Sequence, residues 1–140
     1  MMTPAQLYAH LTKIRDAYTA AMQPMSAALD MPPVATVILM FLANNPEYDT
    51  AKDVCACLSM KPALVSFHVE NLVQAGYLER GKAAGDRRKH CLRCTAKAAL
   101  AIEQGRALQK AFLTRLTQGL SEDELKTCLH CLSVFGENIS

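Results

Sequence analysis

The sequence predicts a mainly α-helical fold interrupted by one two-stranded hairpin. Three observations carry that reading. Apolar residues recur at steps of three and four through most of the 140 residues, the spacing that lines one face of a helix. Helix-start signals stand where periodic stretches begin, at Thr50-Ala51-Lys52-Asp53 and at Ser121-Glu122-Asp123-Glu124. Two short strand-like segments flank a tip at Ala83-Ala84-Gly85-Asp86, the pattern of a hairpin.

Leu7, Leu11, Ile14, Tyr18 and Met22 predict a first helix from about Pro4 to Met22, with Pro24 near its end. A loop holding Pro24, Asp30, Pro32 and Pro33 is expected next, with Pro33 suited to the first turn of the following helix. Val34 to Ala43 is apolar on nearly every side and reads as a buried central helix ending at Asn44-Asn45-Pro46. Thr50 to Asp53 is a capping-box variant, with Asp in the usual Glu or Gln position, and opens a short helix through about Leu58. Ser59-Met60-Lys61-Pro62 turns the chain into a helix that runs to Gln74 and stops at Ala75-Gly76. Two short helices joined by such a turn make a helix-turn-helix. Tyr77 to Arg80 and Lys89 to Cys94 are the strand candidates. Thr95 is expected to cap a long Ala-rich helix carrying Leu100, Leu108, Phe112 and Leu116, and Ser121 opens a last helix through about Phe135. Six helices and one hairpin account for the chain.

Charge is distributed unevenly. Net charge is only +2, yet seven of the 15 Lys and Arg lie between Arg80 and Lys97, against Glu79 and Asp86 alone from 79 to 97. Arg87, Arg88, Lys89 and Arg93 fall within a single short stretch beside the hairpin tip. A local cationic field on a near-neutral chain suits a polyanion, and a DNA groove is the obvious one. The apolar fraction of 51% leaves surplus hydrophobic surface, which implies a partner, most commonly a second copy. No apolar run approaches the roughly 18 residues a membrane span needs. The Met1-Met2-Thr3-Pro4 start lacks the basic and apolar regions of a signal peptide. A cytoplasmic location without membrane attachment is expected, with the six cysteines kept reduced.

A wheel at about 100° per residue sorts the 61–74 helix. Val65, Val69 and Leu72, flanked by Leu64 and His68, form its packing side. Ala63, Ser66, Phe67, Glu70 and Asn71 fall on the opposite arc, the side a recognition helix presents to base edges. Ser66 suits several bases, Ala63 and Phe67 suit thymine methyls, and Lys61 at the helix start suits a phosphate. Arg87 and Arg88 fit a narrow minor groove, with Lys89 and Arg80 on phosphates. The competing reading is a solvated face, against which exposed Phe67 and the adjacent basic hairpin both weigh.

Residues 34–100 resemble the winged-helix core of the MarR family of bacterial transcriptional regulators. The resemblance rests on Leu58, Val65-Ser66, Val69-Glu70-Asn71-Leu72, Gly76-Tyr77-Leu78-Glu79-Arg80 and, above all, Asp86-Arg87-Arg88 followed by Leu92-Arg93-Cys94-Thr95. The last block is similar to the family's wing signature, with Cys94 where a second Leu is usual. It implies a winged helix-turn-helix core at 33–95 with a two-stranded wing, and dimerisation helices at 1–24 and 96–140, in one domain over 1–140. It further implies a homodimer on a pseudo-palindromic operator in double-stranded DNA. Usually such a protein is a repressor, released when a small aromatic or lipophilic effector binds between the dimer region and the winged helix. Tyr8, Leu11, Tyr18, Met40 and Leu100 are the residues expected to line that effector site. Phe67 departs from the polar or basic residue many members carry, and Ala99 replaces a frequent Gly.

The cysteines offer a different chemistry. Cys91 and Cys94 are an odd number of strand residues apart and should face opposite ways, Cys94 buried beside Leu92 and Cys91 outward with Arg93. Cys128 and Cys131 share a helix face with Leu125, Leu129, Leu132 and Phe135 and are expected as small apolar filler. No metal and no cofactor are therefore expected. The alternatives are a thiol- or metal-responsive regulator using Cys55, Cys57, Cys91 or the 128/131 pair, and a winged-helix interaction module that does not bind DNA. The family's peroxide sensors use a first-helix cysteine, and this chain has none before Cys55. His68, His90 and His130 lie beside no nucleophile–base pair, there is no Gly-rich phosphate loop, and no enzyme is expected. His10 reads as an ordinary surface or interface residue.

Overall fold

Three helix starts in this chain are fixed by side chains that satisfy free backbone amides. In the computed structural model, which describes residues 1–82 and 90–140, Thr3 and Thr50 each form a complete capping box, with Gln6 and Asp53 respectively. Ser121 accepts from the Glu124 amide. The elements run α1 (Pro4–Ala21), α2 (Gln23–Leu29), α3 (Pro33–Asn44), α4 (Ala51–Leu58), α5 (Pro62–Gln74), β1 (Leu78–Lys82), β2 (His90–Cys94), a single 3-10 turn (Ala96–Ala98), α6 (Ala99–Leu116) and α7 (Glu122–Ile139).

Two expectations change here. The stretch expected as a loop from Pro24 contains α2, so the described residues hold seven α-helices rather than six. Pro24 falls in the first turn of α2, where a missing N–H costs nothing. Met22 closes α1 and opens α2, and Asp30 ends α2 in the left-handed region at φ 50°. Thr95 also behaves differently from a side-chain cap. Its hydroxyl donates to the Gly76 carbonyl and its amide to Tyr77 O at 3.1 Å, which ties the end of β2 to the end of α5.

The core is built around α3, whose Ala35, Thr36, Ile38, Leu39, Met40 and Leu42 are buried. Val54 of α4, Val65, Val69 and Leu72 of α5, Leu78 and Leu92 of the hairpin and Ile102 of α6 close over it. The Ser26 and Thr36 hydroxyls, both buried, bond to one another at 3.3 Å, and Thr36 also donates to Pro33 O at 2.7 Å. Gly105 permits the close approach of α6. A Cβ there would sit 2.6 Å from Met40 Sδ and 2.7 Å from Met25 Sδ. Gly76 ends α5 at φ 85°, with Tyr77 N donating to Leu72 O at 2.9 Å, a turn that glycine enters without a Cβ penalty.

β1 and β2 pair antiparallel, with Leu78 opposite Cys94, Arg80 opposite Leu92 and Gly81 opposite Cys91. Cys91 is buried and Cys94 only half-buried, the reverse of the sequence expectation. Strand alternation predicts one wet face, and Arg93 on that face is exposed, yet Cys91 beside it is buried. Leu92 turns to the core, while Cys91 lies opposite side-chain-free Gly81, with Arg93 Nε 3.9 Å from where a Gly81 Cβ would stand.

The chain divides into two compact units, Met1–Gln109 and Lys110–Ser140. The first contains the core just described. In the second, α7 has no buried residue, and Leu129, Leu132, Phe135 and Ile139 are exposed. Cys128 and Cys131 are exposed as well, so within this chain they fill no core, contrary to expectation. Among the described residues no single helix is long and apolar enough to cross a membrane.

Candidate nucleic-acid interface

Helix α5 is held by one side and open on the other. Val65, His68, Val69 and Leu72 are buried against the core. The α4–α5 turn passes through Ser59 in the left-handed region at φ 52°, and Met60 N donates to Cys55 O at 3.2 Å. That fixes the two helices as a helix-turn-helix and leaves Lys61, Ala63, Ser66, Phe67 and Glu70 exposed, with Asn71 half-buried. The wheel is thus reproduced, except that Leu64, expected beside the packing side, is 42% exposed. It stands at the border of the buried arc, where neighbouring elements rather than periodicity decide.

Phe67 is 60% exposed, and its ring meets His68 edge-on with centroids 5.1 Å apart. Leaving most of a phenylalanine in water forgoes a large part of the roughly 1.5–3 kcal/mol that full burial would give. His68 is buried, and among the described residues its Nδ1 has no hydrogen-bond partner.

Arg80 of β1 reaches back to α5. Its Nη1 donates to Glu70 Oε2 at 2.9 Å, and Gln74 Nε2 donates to Glu70 Oε1 at 3.3 Å. Both partners are substantially solvated, so this pair adds at most about 1 kcal/mol of stability. Its consequence is directional: Glu70 is engaged, and a guanidinium stands beside the exposed face of α5. At the other end of that face, Lys52 and Ser66 rim a hollow of about 260 Å³ that also involves Ala51, Cys55 and Pro62. Lys97 Nζ donates to Ala75 O at 2.6 Å and lies 4.8 Å from the Tyr77 ring centroid, a cation set at the C-terminus of α5. Sequence reasoning passed over Gln74, Lys52 and Lys97. The signal for Gln74 was its four-residue spacing from Glu70 on the same arc; Lys97 had none. Arg87, Arg88 and Lys89 lie outside the described residues.

Residues 29–89 match the model of the MarR family. No curated protein matches its sequence. Among solved structures, it is similar to the MarR transcription regulator of Oenococcus oeni PSU-1, at 18% identity and a TM-score of 0.78 over 94% of this chain and 98% of that one. The S. aureus MepR–DNA complex gives 18% identity and a TM-score of 0.80, over 99% and 97%. A MarR-family regulator from Listeria monocytogenes complexed with 26mer DNA gives 14% and 0.83, over 99% and 90%. At these identities the likeness establishes the winged-helix fold.

Of the five effector-site candidates, Tyr18 packs against the core cluster that contains Met40. Tyr8, Leu11 and Leu100 are exposed, and Met40 is packed in the core. Half-buried Tyr18 accepts a hydrogen bond from Gln109 Nε2 at 2.7 Å. A hollow of about 430 Å³ lies elsewhere in the first unit, lined by Pro24, Met25, Gln104, Ala107 and Leu108. Burial pushes the Cys94 thiol up from its ordinary value, partly opposed by the Arg106 guanidinium. Among the described residues no three His, Cys, Asp or Glu side chains gather to hold a metal ion.

Proposed function

We propose that this chain is a DNA-binding transcriptional regulator, a homodimeric repressor that a small aromatic or lipophilic effector releases from a pseudo-palindromic operator. The observation that carries the reading is the exposed face of α5, anchored from behind by Val65, Val69 and Leu72 and flanked by Arg80. Lys61, Ala63, Ser66, Phe67 and Asn71 would meet the major groove, with Arg80 and Lys89 on phosphates and Arg87 and Arg88 in the adjacent minor groove. Glu70 is recast: it holds Arg80 rather than reading a base. Two similar structures carry DNA by name, which supports duplex DNA as the partner.

A second copy is supported by apolar surface without cover. Tyr8, Leu11 and Ile14 on α1 and Leu129, Leu132, Phe135 and Ile139 on α7 are all exposed. In this reading 1–24 and 96–140 serve dimerisation within a single-domain regulator. For the effector, Met25 lines the 430 Å³ hollow and shares with Met40 the space over Gly105, which relates one expected residue to an open volume. Tyr18 already packs against the cluster that holds Met25 and Met40, and exposed Tyr8, Leu11 and Leu100 would join it in the dimer.

Fluorescence anisotropy with a labelled random-sequence duplex pool tests the reading. Affinity should fall steeply with salt as counterions are released, and Arg87→Ala with Arg88→Ala should flatten that slope. A salt-independent signal, or an unchanged double variant, contradicts it.

A further inference from the structure

α5 is an unusual surface with which to read DNA. From Pro62 to Gln74 it carries no Lys or Arg, and its one carboxylate, Glu70, is engaged by Arg80 and Gln74. His68, its only titratable base, is buried. The commonest way to recognise guanine, a bidentate Arg or Lys on O6 and N7, is therefore absent from this helix. What its open face offers instead is apolar: Phe67 at 60% exposure and Leu64 at 42%, beside Ala63 and the Ser66 hydroxyl. The Phe67 ring makes a T-shaped contact with its buried neighbour His68, and most of the side chain stays exposed.

We propose that Phe67 is the specificity-determining residue of this interface, reading the 5-methyl groups of thymine in the major groove through the apolar patch it forms with Leu64 and Ala63. The proposal rests on the DNA-reading assignment above and names the chemical group read. The thymine methyl is the one apolar feature of the major-groove edge, so an apolar reader distinguishes thymine from cytosine, and from uracil, by that carbon alone. Ser66 adds a hydroxyl that suits any base and so narrows nothing by itself. Because Glu70 is held by Arg80, the patch meets the groove without a free carboxylate facing phosphates.

Uracil substitution isolates the methyl without touching a hydrogen bond. A duplex selected by the full-length protein from a random pool is remade with deoxyuridine for thymidine, one position at a time and then throughout. Binding is measured by anisotropy for the wild type, Phe67→Ala and Phe67→Leu. At one or two positions per half-site, deoxyuridine should weaken wild-type binding about four-fold per methyl group lost. Phe67→Ala should bind thymine and uracil duplexes alike, and Phe67→Leu should restore part of the discrimination. Equal wild-type affinity for both duplexes at every position overturns the proposal, as does discrimination that survives in Phe67→Ala. Should the wild type select no duplex at all, the DNA-reading assignment fails and this inference falls with it. Since the first comparison uses only wild-type protein, it stands independently of how the variants fold.

Discussion

Helices α3 and α7 are both rich in apolar residues, yet they end in opposite situations. α3 buries six of its 12 residues. α7, with 18 residues, buries none, although Leu129, Leu132, Phe135 and Ile139 stand on it. α3 is apolar on nearly every side and finds cover in its own chain. α7 is amphipathic, with an apolar stripe that its own chain leaves in water. The first situation describes a core; the second describes an apolar face without cover, and this is the physical ground on which a second copy is proposed.

Substitutions should separate the two. Leu39→Ala removes a side chain at 0% exposure and should cost about 2–5 kcal/mol of stability, read as a lowered midpoint in urea. Replacing Leu129, Leu132 and Phe135 together by Ser should raise the dimer dissociation constant on the order of 100-fold, measured by sedimentation equilibrium. A triple variant that sediments like the wild type would break the comparison, because α7 would then need no partner. Thr50→Ala, which removes the capping box of α4, should cost about 1 kcal/mol and loosen the helix-turn-helix without altering the dimer.

The smallest effect concerns thiols. Burial raises the Cys94 pKa, so at pH 8 less of it is thiolate than of an ordinary cysteine. Cys57, Cys128 and Cys131 are exposed. Alkylation followed by mass spectrometry should label Cys57 in the native protein well before Cys94, with the gap narrowing as pH rises. If Cys128 and Cys131 are also slow, and become fast in the triple α7 variant, the second copy covers them.

Most of the helical architecture is legible from periodicity and capping. α1, α3, α4, α5 and α7 begin within about a residue of their expected starts, because Thr50 and Ser121 mark helix starts that the backbone then uses. α2 was hidden because proline punctuates loops and helix first turns alike, and only the tertiary packing of Met25 and Leu29 tells which. Cys91 defeated the alternation rule: it is buried although Arg93, on the same face of the strand, is exposed. In the candidate interface, the wheel placed Ser66, Phe67 and Glu70 on the open side correctly. It could not show that Arg80, ten residues beyond Glu70, would engage that carboxylate. A contact made through a helix end and a strand register has no local spacing.

The proposed DNA binding rests on the open face of α5, and Ala63→Glu tests it most directly. Ala63 is exposed in the first turn of a helix, where a carboxylate suits the helix dipole, so the fold should be untouched. The new charge would face the phosphates of any duplex docked on that face. Anisotropy titration of the selected duplex should show affinity lower by about ten-fold or more, with an unchanged thermal midpoint. Wild-type affinity in Ala63→Glu would mean that DNA, if bound, is bound elsewhere.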